Sequence, residues 1–198
     1  MRPLFALLVV ASLAVAAPVP KAIKAKLKDY YPLADGAEWE YSLGQETVLI
    51  KATEVTAKDD VTTAKLVTTL GGKSVADETI RVDSAGVFRT HINKTQIDPP
   101  VPLMKFGLTA DEGWEVKAKV NSAELTGKFT LKSAEKVKVQ AGEYDAVQVV
   151  GDCTLSGTQT RSKWWIAEGV GIVRMEFEIG GTASSTFELK KYTPGKAK

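Results

Sequence analysis

From Glu38 onward the side chains alternate with a period of two. Trp39, Tyr41 and Leu43 interleave with Glu38, Glu40 and Ser42; Trp114, Val116, Ala118 and Val120 interleave with Glu115, Lys117 and Lys119. The same holds for Leu125, Gly127, Phe129 and Leu131, and for Val173, Met175, Phe177 and Ile179. Such a period is the mark of strands with one covered face. One dry face and one wet face imply antiparallel pairing, because parallel strands are usually covered on both sides. No segment of helical length carries an apolar stripe. The predicted class is all-β.

Turn chemistry punctuates these runs at Gly44-Gln45, Asp59-Asp60, Gly71-Gly72, Ala85-Gly86, Ala141-Gly142, Ser156-Gly157, Glu168-Gly169 and Gly180-Gly181. Glycine permits positive φ, and Asp tolerates tight turns, so each cluster can reverse the chain. Together they predict roughly ten strands. Without helices to cover it, a sheet of this size must curl, which predicts a large curved antiparallel sheet or incomplete β-barrel. Asp98-Pro99-Pro100-Val101-Pro102 offers too few ladder donors for a central strand. Residues 93–105 are therefore expected to form a Pro-rich loop joining two halves, about 31–92 and 106–192. The halves resemble one another: Leu33 stands six residues before Trp39, and Leu108 six before Trp114.

The N-terminus has a different character. Arg2 precedes the apolar run Leu4–Leu13 and the small-residue site Ala14-Val15-Ala16. This is the three-part pattern of a secretory signal peptide, residues 1–16, with cleavage expected before Ala17. The apolar run, about a dozen residues, falls short of the ~20 that span a bilayer, so no transmembrane segment is predicted. Residues 17–30 read as a flexible basic leader, 31–192 as a single β domain and 193–198 as a disordered tail. The expected location is exported, periplasmic or extracellular.

Charge and reactive residues exclude several functions. The formal net charge is +2, without the basic footprint of a nucleic-acid binder. Cys153 is the only cysteine, and its phase with Val147, Val149 and Leu155 favours core packing. His91, the only histidine, rules out a multi-histidine metal site. It shares a face with Arg89, opposite Phe88 and Ile92, and reads as a solvated residue. No Gly-x-Ser-x-Gly elbow, phosphate loop or EF-hand spacing occurs. Asp59-Asp60 and Asp111-Glu112 fall in turns, where acids are common; a carboxylate-based hydrolase is the third-ranked reading. No cofactor, metal or catalytic residue is implied. The lysines at 117, 119, 128, 132, 136 and 138 form an expected soluble outer face.

Three motifs resemble a family of uncharacterised exported bacterial β-rich proteins. They are the Tyr31-Pro32-Leu33-x-x-Gly36-x-x-Trp39-x-Tyr41 opening, the Val139-x-Ala141-Gly142-x-Tyr144 strand entry, and the Trp165-x-Ala167-x-Gly169-Val170-Gly171-x-Val173 hairpin. The chain departs from that pattern at Gln140, where proline is common, and at Ile166, where an aromatic is common. The resemblance implies a curved sheet similar in kind to the periplasmic lipoprotein carriers of the LolA and LolB type. It implies no activity.

The dry face carries Trp39, Tyr41, Trp114, Phe129, Met175 and Phe177. Trp164 and Trp165 must point to opposite faces unless a bulge intervenes. With Leu103 and Met104 of the Pro-rich loop as a lid, the dry face forms a predicted ligand site. Its occupant would be an apolar small molecule or acyl chain. The expected function is a non-enzymatic β-barrel-like domain binding an apolar or amphipathic ligand or an envelope protein. The alternative is a solid-core structural or interaction module.

Overall fold

The computed structural model describes residues 30–181 and 183–196; the expected signal peptide and all of the expected leader but Tyr30 lie outside the described residues. Twelve antiparallel strands close into a barrel, each paired with its sequence neighbours and β1 with β12. The first six are β1 (Glu38–Leu43), β2 (Glu46–Lys58), β3 (Val61–Leu70), β4 (Lys73–Asp83), β5 (Gly86–Ile92) and β6 (Thr95–Lys105). The others are β7 (Gly113–Val120), β8 (Ala123–Val139), β9 (Gly142–Leu155), β10 (Thr158–Ala167), β11 (Gly171–Ile179) and β12 (Ala183–Thr193).

The sheet is closed rather than incomplete. Closure runs through the register Glu38↔Thr193 to Ser42↔Glu188, which leaves neither terminal strand as a free edge. Each expected turn joins two strands. Sequence reading missed the turn at Asn121-Ser122 and the one at Asn93-Lys94, where both residues of the latter have positive φ, 47° and 66°. That is the backbone of a two-residue hairpin turn, usually signalled by glycine; here a lysine adopts it.

The Pro-rich segment is not a loop. Residues 95–105 form β6, paired with β5 from Ile92↔Thr95 to Gly86↔Lys105. Its other edge meets β7 only at Ile97↔Val120 and Asp98↔Lys119. Proline is excluded from strands that need donors on both edges. Beyond Asp98 this strand needs them on one edge only, so Pro99, Pro100 and Pro102 are tolerated. Trp114 crosses the thin seam instead, its Nε1 donating to the Pro102 carbonyl at 3.0 Å.

The expected disordered tail is also corrected in part. Thr193 ends β12, and Lys196 pairs with Asp35, its N–H donating to the Asp35 carbonyl at 2.9 Å. The segment before β1 is tied down in turn, with Gly36 N–H bonded to Ala52 O and Ala52 N–H to Ala37 O. The first and last described segments thus pack together where β1 begins, and Tyr31 is buried there.

Trp164 and Trp165 do take opposite faces. Trp164 points into the lumen, while Trp165 lies outside beneath the Arg174 guanidinium, 5.1 Å from its ring centre. The long β8–β9 hairpin reaches over this outer face. Glu135 accepts the Trp165 indole N–H, and Ala141 N–H bonds to Leu189 O at 2.9 Å.

Candidate functional site

Inside the barrel an aromatic arc crosses five strands. Trp114 stacks on Phe129 with ring centres 5.7 Å apart, and Phe129 on Trp164 at 5.5 Å. Phe177 tilts against Trp164, and Phe187 meets Phe177 edge-on. Offset and edge contacts of this kind add to the area that the rings bury. On the facing wall Trp39 Nε1 donates to Val170 O at 2.6 Å and Tyr41 Oη to Ile172 O at 2.8 Å. These bonds draw β1 onto the β10–β11 turn and satisfy the polar ends of two buried rings.

Most of the lumen is filled by these side chains. What remains is a cavity of about 50 Å³ lined by Tyr31, Trp39, Tyr41, Ile50, Leu66, Glu78, Arg89, Leu103, Trp164, Gly171, Ile172, Met175 and Phe177. It holds a few waters or a few ligand atoms, well below the ~300–1,000 Å³ that encloses a drug-sized ligand. A whole acyl chain does not fit.

Of the residues expected from sequence, Trp39, Tyr41, Leu103, Met175 and Phe177 converge on this cavity. Trp114 and Phe129 are buried in the arc beside it, without lining it. Met104 is buried opposite Val87 in the wall. Leu103 contributes as part of β6, so it is a wall residue and not a lid.

Sequence reading missed Glu78, Arg89 and Tyr31. The expected arrangement of β5, with Arg89 on the wet face opposite Phe88, is reversed. Phe88 pairs with Arg81, whose guanidinium lies 4.7 Å from the centre of the Phe88 ring, while Arg89 pairs with Ile80 and lines the cavity. A β-bulge at Thr90 restores the phase: Ile80 faces Arg89, but Thr79 faces His91. The extra residue re-aims its neighbours, and Thr90 Oγ1 donates to Thr79 O. Arg89 Nε donates to Glu78 Oε2, and the two side chains keep 28% and 20% of their surface exposed. Burial, then the Glu78 carboxylate, pushes the Tyr31 hydroxyl above its ordinary range, opposed by Arg89. Burial does the same to Tyr41, aided by Tyr31 and Glu78. Both phenols are therefore neutral donors.

Larger hollows lie on the outer face, about 580 Å³ over β8–β11 and about 300 Å³ over β10–β12. They are open, and their charges pair with one another, as in Asp152–Arg161 at 2.7 Å and Lys163–Glu176 at 3.2 Å. Exposed pairs of this kind mark a solvated surface. The lumen is the better site despite its smaller volume, because its apolar walls surround a single polar pair. No helix among the described residues is long and apolar enough to cross a membrane.

No protein-family model matches the chain, and no curated protein matches it. Two solved structures are similar. One is a "putative lipoprotein" from Parabacteroides distasonis, with a TM-score of 0.56 and 15% identity over 83% of this chain and 98% of the other. The second is a "putative exported protein with YmcC-like fold" from Bacteroides fragilis, with a TM-score of 0.54 and 11% identity over 80% and 96%. At these identities the likeness establishes a shared fold.

Proposed function

We propose that this chain is an exported, non-enzymatic barrel whose lumen cavity binds a small amphipathic molecule, or the tip of a longer one. The observation that carries the reading is the convergence of Trp39, Tyr41, Leu103, Met175 and Phe177 on one enclosed space. Its size narrows the sequence expectation. An acyl chain, the longer occupant expected of the apolar face, would insert its end and leave the rest outside. Export is supported by the Met1–Ala16 pattern and by the names of the two structural neighbours, one exported and one a lipoprotein.

The non-enzymatic reading is supported by the work that one of its two adjacent acid pairs already does. Asp111 pairs with Lys132 at 2.6 Å, and Glu112 Oε2 accepts Thr109 N–H at 2.6 Å. These carboxylates hold a turn together.

1-Propanol, small enough for the cavity, titrated into the protein tests the proposal through the fluorescence of Trp39 and Trp164. A saturable change is expected, and Ile50→Phe, which fills the cavity without adding charge, is expected to remove it. A wild-type response that is absent or never saturates would overturn the lumen site in favour of a solid-core interaction module. That module would bind an envelope partner through its outer surface.

A further inference from the structure

The ion pair in the lumen has no structural necessity. Apolar residues of similar volume fill a core at lower cost than two charges taken from water. Yet β5 carries a bulge at Thr90 that turns Arg89 inward while leaving His91 opposite Thr79. Bulges recur where a side chain must be re-aimed beside a binding or active site.

Arg89 is also only partly engaged. Its Nε is committed to Glu78, and neither terminal nitrogen makes a hydrogen bond among the described residues. A guanidinium held by Nε keeps its end-on edge free, with two parallel N–H groups matched to a planar carboxylate. Nearby, the buried Tyr31 makes no side-chain hydrogen bond among the described residues, and its ring lines the same cavity. Around these donors stand Trp39, Ile50, Leu66, Met175 and Phe177.

We infer that the lumen site recognises a small monocarboxylate, its head on the free edge of Arg89 and its apolar body against Trp39, Met175 and Phe177. Glu78 is a positioning residue that holds the guanidinium by Nε. It also offsets part of the positive charge, so that the empty site does not carry an isolated cation. The partial exposure of the pair gives the head a route to water, and the apolar end fills the enclosed space. Methionine adapts its shape readily, which suits Met175 to a body of variable outline.

This inference rests on the lumen-site reading, and one experiment separates the two. Propionate, 1-propanol and propylamine share a short apolar body that a cavity of about 50 Å³ can take, and they differ in their polar head. In the wild-type protein, propionate is expected to bind about tenfold more tightly than 1-propanol, the gain from a charge-assisted hydrogen-bond pair. In Glu78→Gln/Arg89→Gln, which keeps polar groups in place, that preference should vanish while 1-propanol still binds. Arg89→Lys keeps the charge and loses the fork, and should retain only part of the preference. Equal binding of propionate and 1-propanol, a preference for propylamine, or an undiminished preference in Arg89→Lys would overturn the carboxylate assignment and leave the lumen site standing. Binding of none of the three would overturn both.

Discussion

Gly151 and Phe129 face each other across the β8–β9 ladder, and the ring of one occupies the space left by the missing side chain of the other. A Cβ at residue 151 would lie 2.3 Å from Phe129 Cε1 and 2.8 Å from Ser162 Oγ. Over this gap Phe129, on β8, reaches Trp164 on β10 and stacks on it. The glycine is needed for room, since its backbone is not left-handed.

Gly151→Ala is therefore expected to overpack the lumen and cost ~1–3 kcal/mol. Denaturant unfolding would measure the loss, and near-UV circular dichroism the disturbed stack. Combining it with Phe129→Leu should recover part of the stability. Purely additive losses would show that the ring and the glycine are not coupled.

The β6–β7 seam yields a second expectation. Only two residue pairs join these strands, and the Trp114 indole donates across the gap to Pro102. Trp114→Phe keeps an aromatic against Phe129 but loses that bond, and should cost ~1 kcal/mol. Trp114→Ala removes the ring as well, at ~3–5 kcal/mol. Amide exchange at Val116 and Ala118 should quicken in Trp114→Phe while exchange at Ala64, on β3, stays slow. Unchanged exchange at the seam would mean that the indole bond does not hold it.

The period-two pattern was enough to place Trp39, Tyr41, Met175 and Phe177 together, because in a closed sheet every inward position looks at the same space. Arg89 was not legible for the same reason. A single extra residue at Thr90 inverts the alternation, and nothing in Val87-Phe88-Arg89-Thr90-His91 marks a bulge. Strand β6 was hidden by its prolines, which exclude a strand hydrogen-bonded on both edges, whereas this one meets β7 at two residues. Tyr31 precedes the first strand, so no periodicity could assign it to the lumen. Its position follows from the pairing of the segment before β1 with the segment after β12.

That pairing predicts an effect at Gly195. A Cβ there would fall 2.6 Å from the Ala34 and Asp35 carbonyl oxygens and the Ala37 nitrogen, all backbone atoms that cannot swing aside. Gly195→Ala should therefore loosen the contact between the C-terminal residues and the segment carrying Tyr31. The expected cost is ~1–3 kcal/mol, and truncation after Thr193 should lower the melting temperature comparably. If both proteins melt like the wild type, the terminal contact does not contribute to stability.

Tyr31 and Tyr41 make stability depend on alkaline pH. Burial raises both phenols above the ordinary tyrosine value of 10.0, and Glu78 adds to the effect in each. In the unfolded chain they ionise near ~10, whereas in the fold they hold their protons to higher pH. The unfolded state thus binds fewer protons above that point. Their contribution is fully present below pH ~10 and is lost as pH climbs through the folded values, at about 1.4 kcal/mol per pH unit for each tyrosine. Denaturant unfolding at a series of pH values should show a flat region around neutrality and a steep alkaline fall. Tyr31→Phe removes a hydroxyl that makes no hydrogen bond among the described residues, so it should change stability little at pH 7. It should also make the alkaline limb shallower without removing it, since Tyr41, bonded to Ile172 O, and the half-buried Tyr30 and Tyr192, also raised by burial, still titrate on unfolding. An alkaline limb of unchanged slope in Tyr31→Phe would mean that the Tyr31 phenol already ionises in the folded barrel, which its place beside Glu78 in the lumen does not allow.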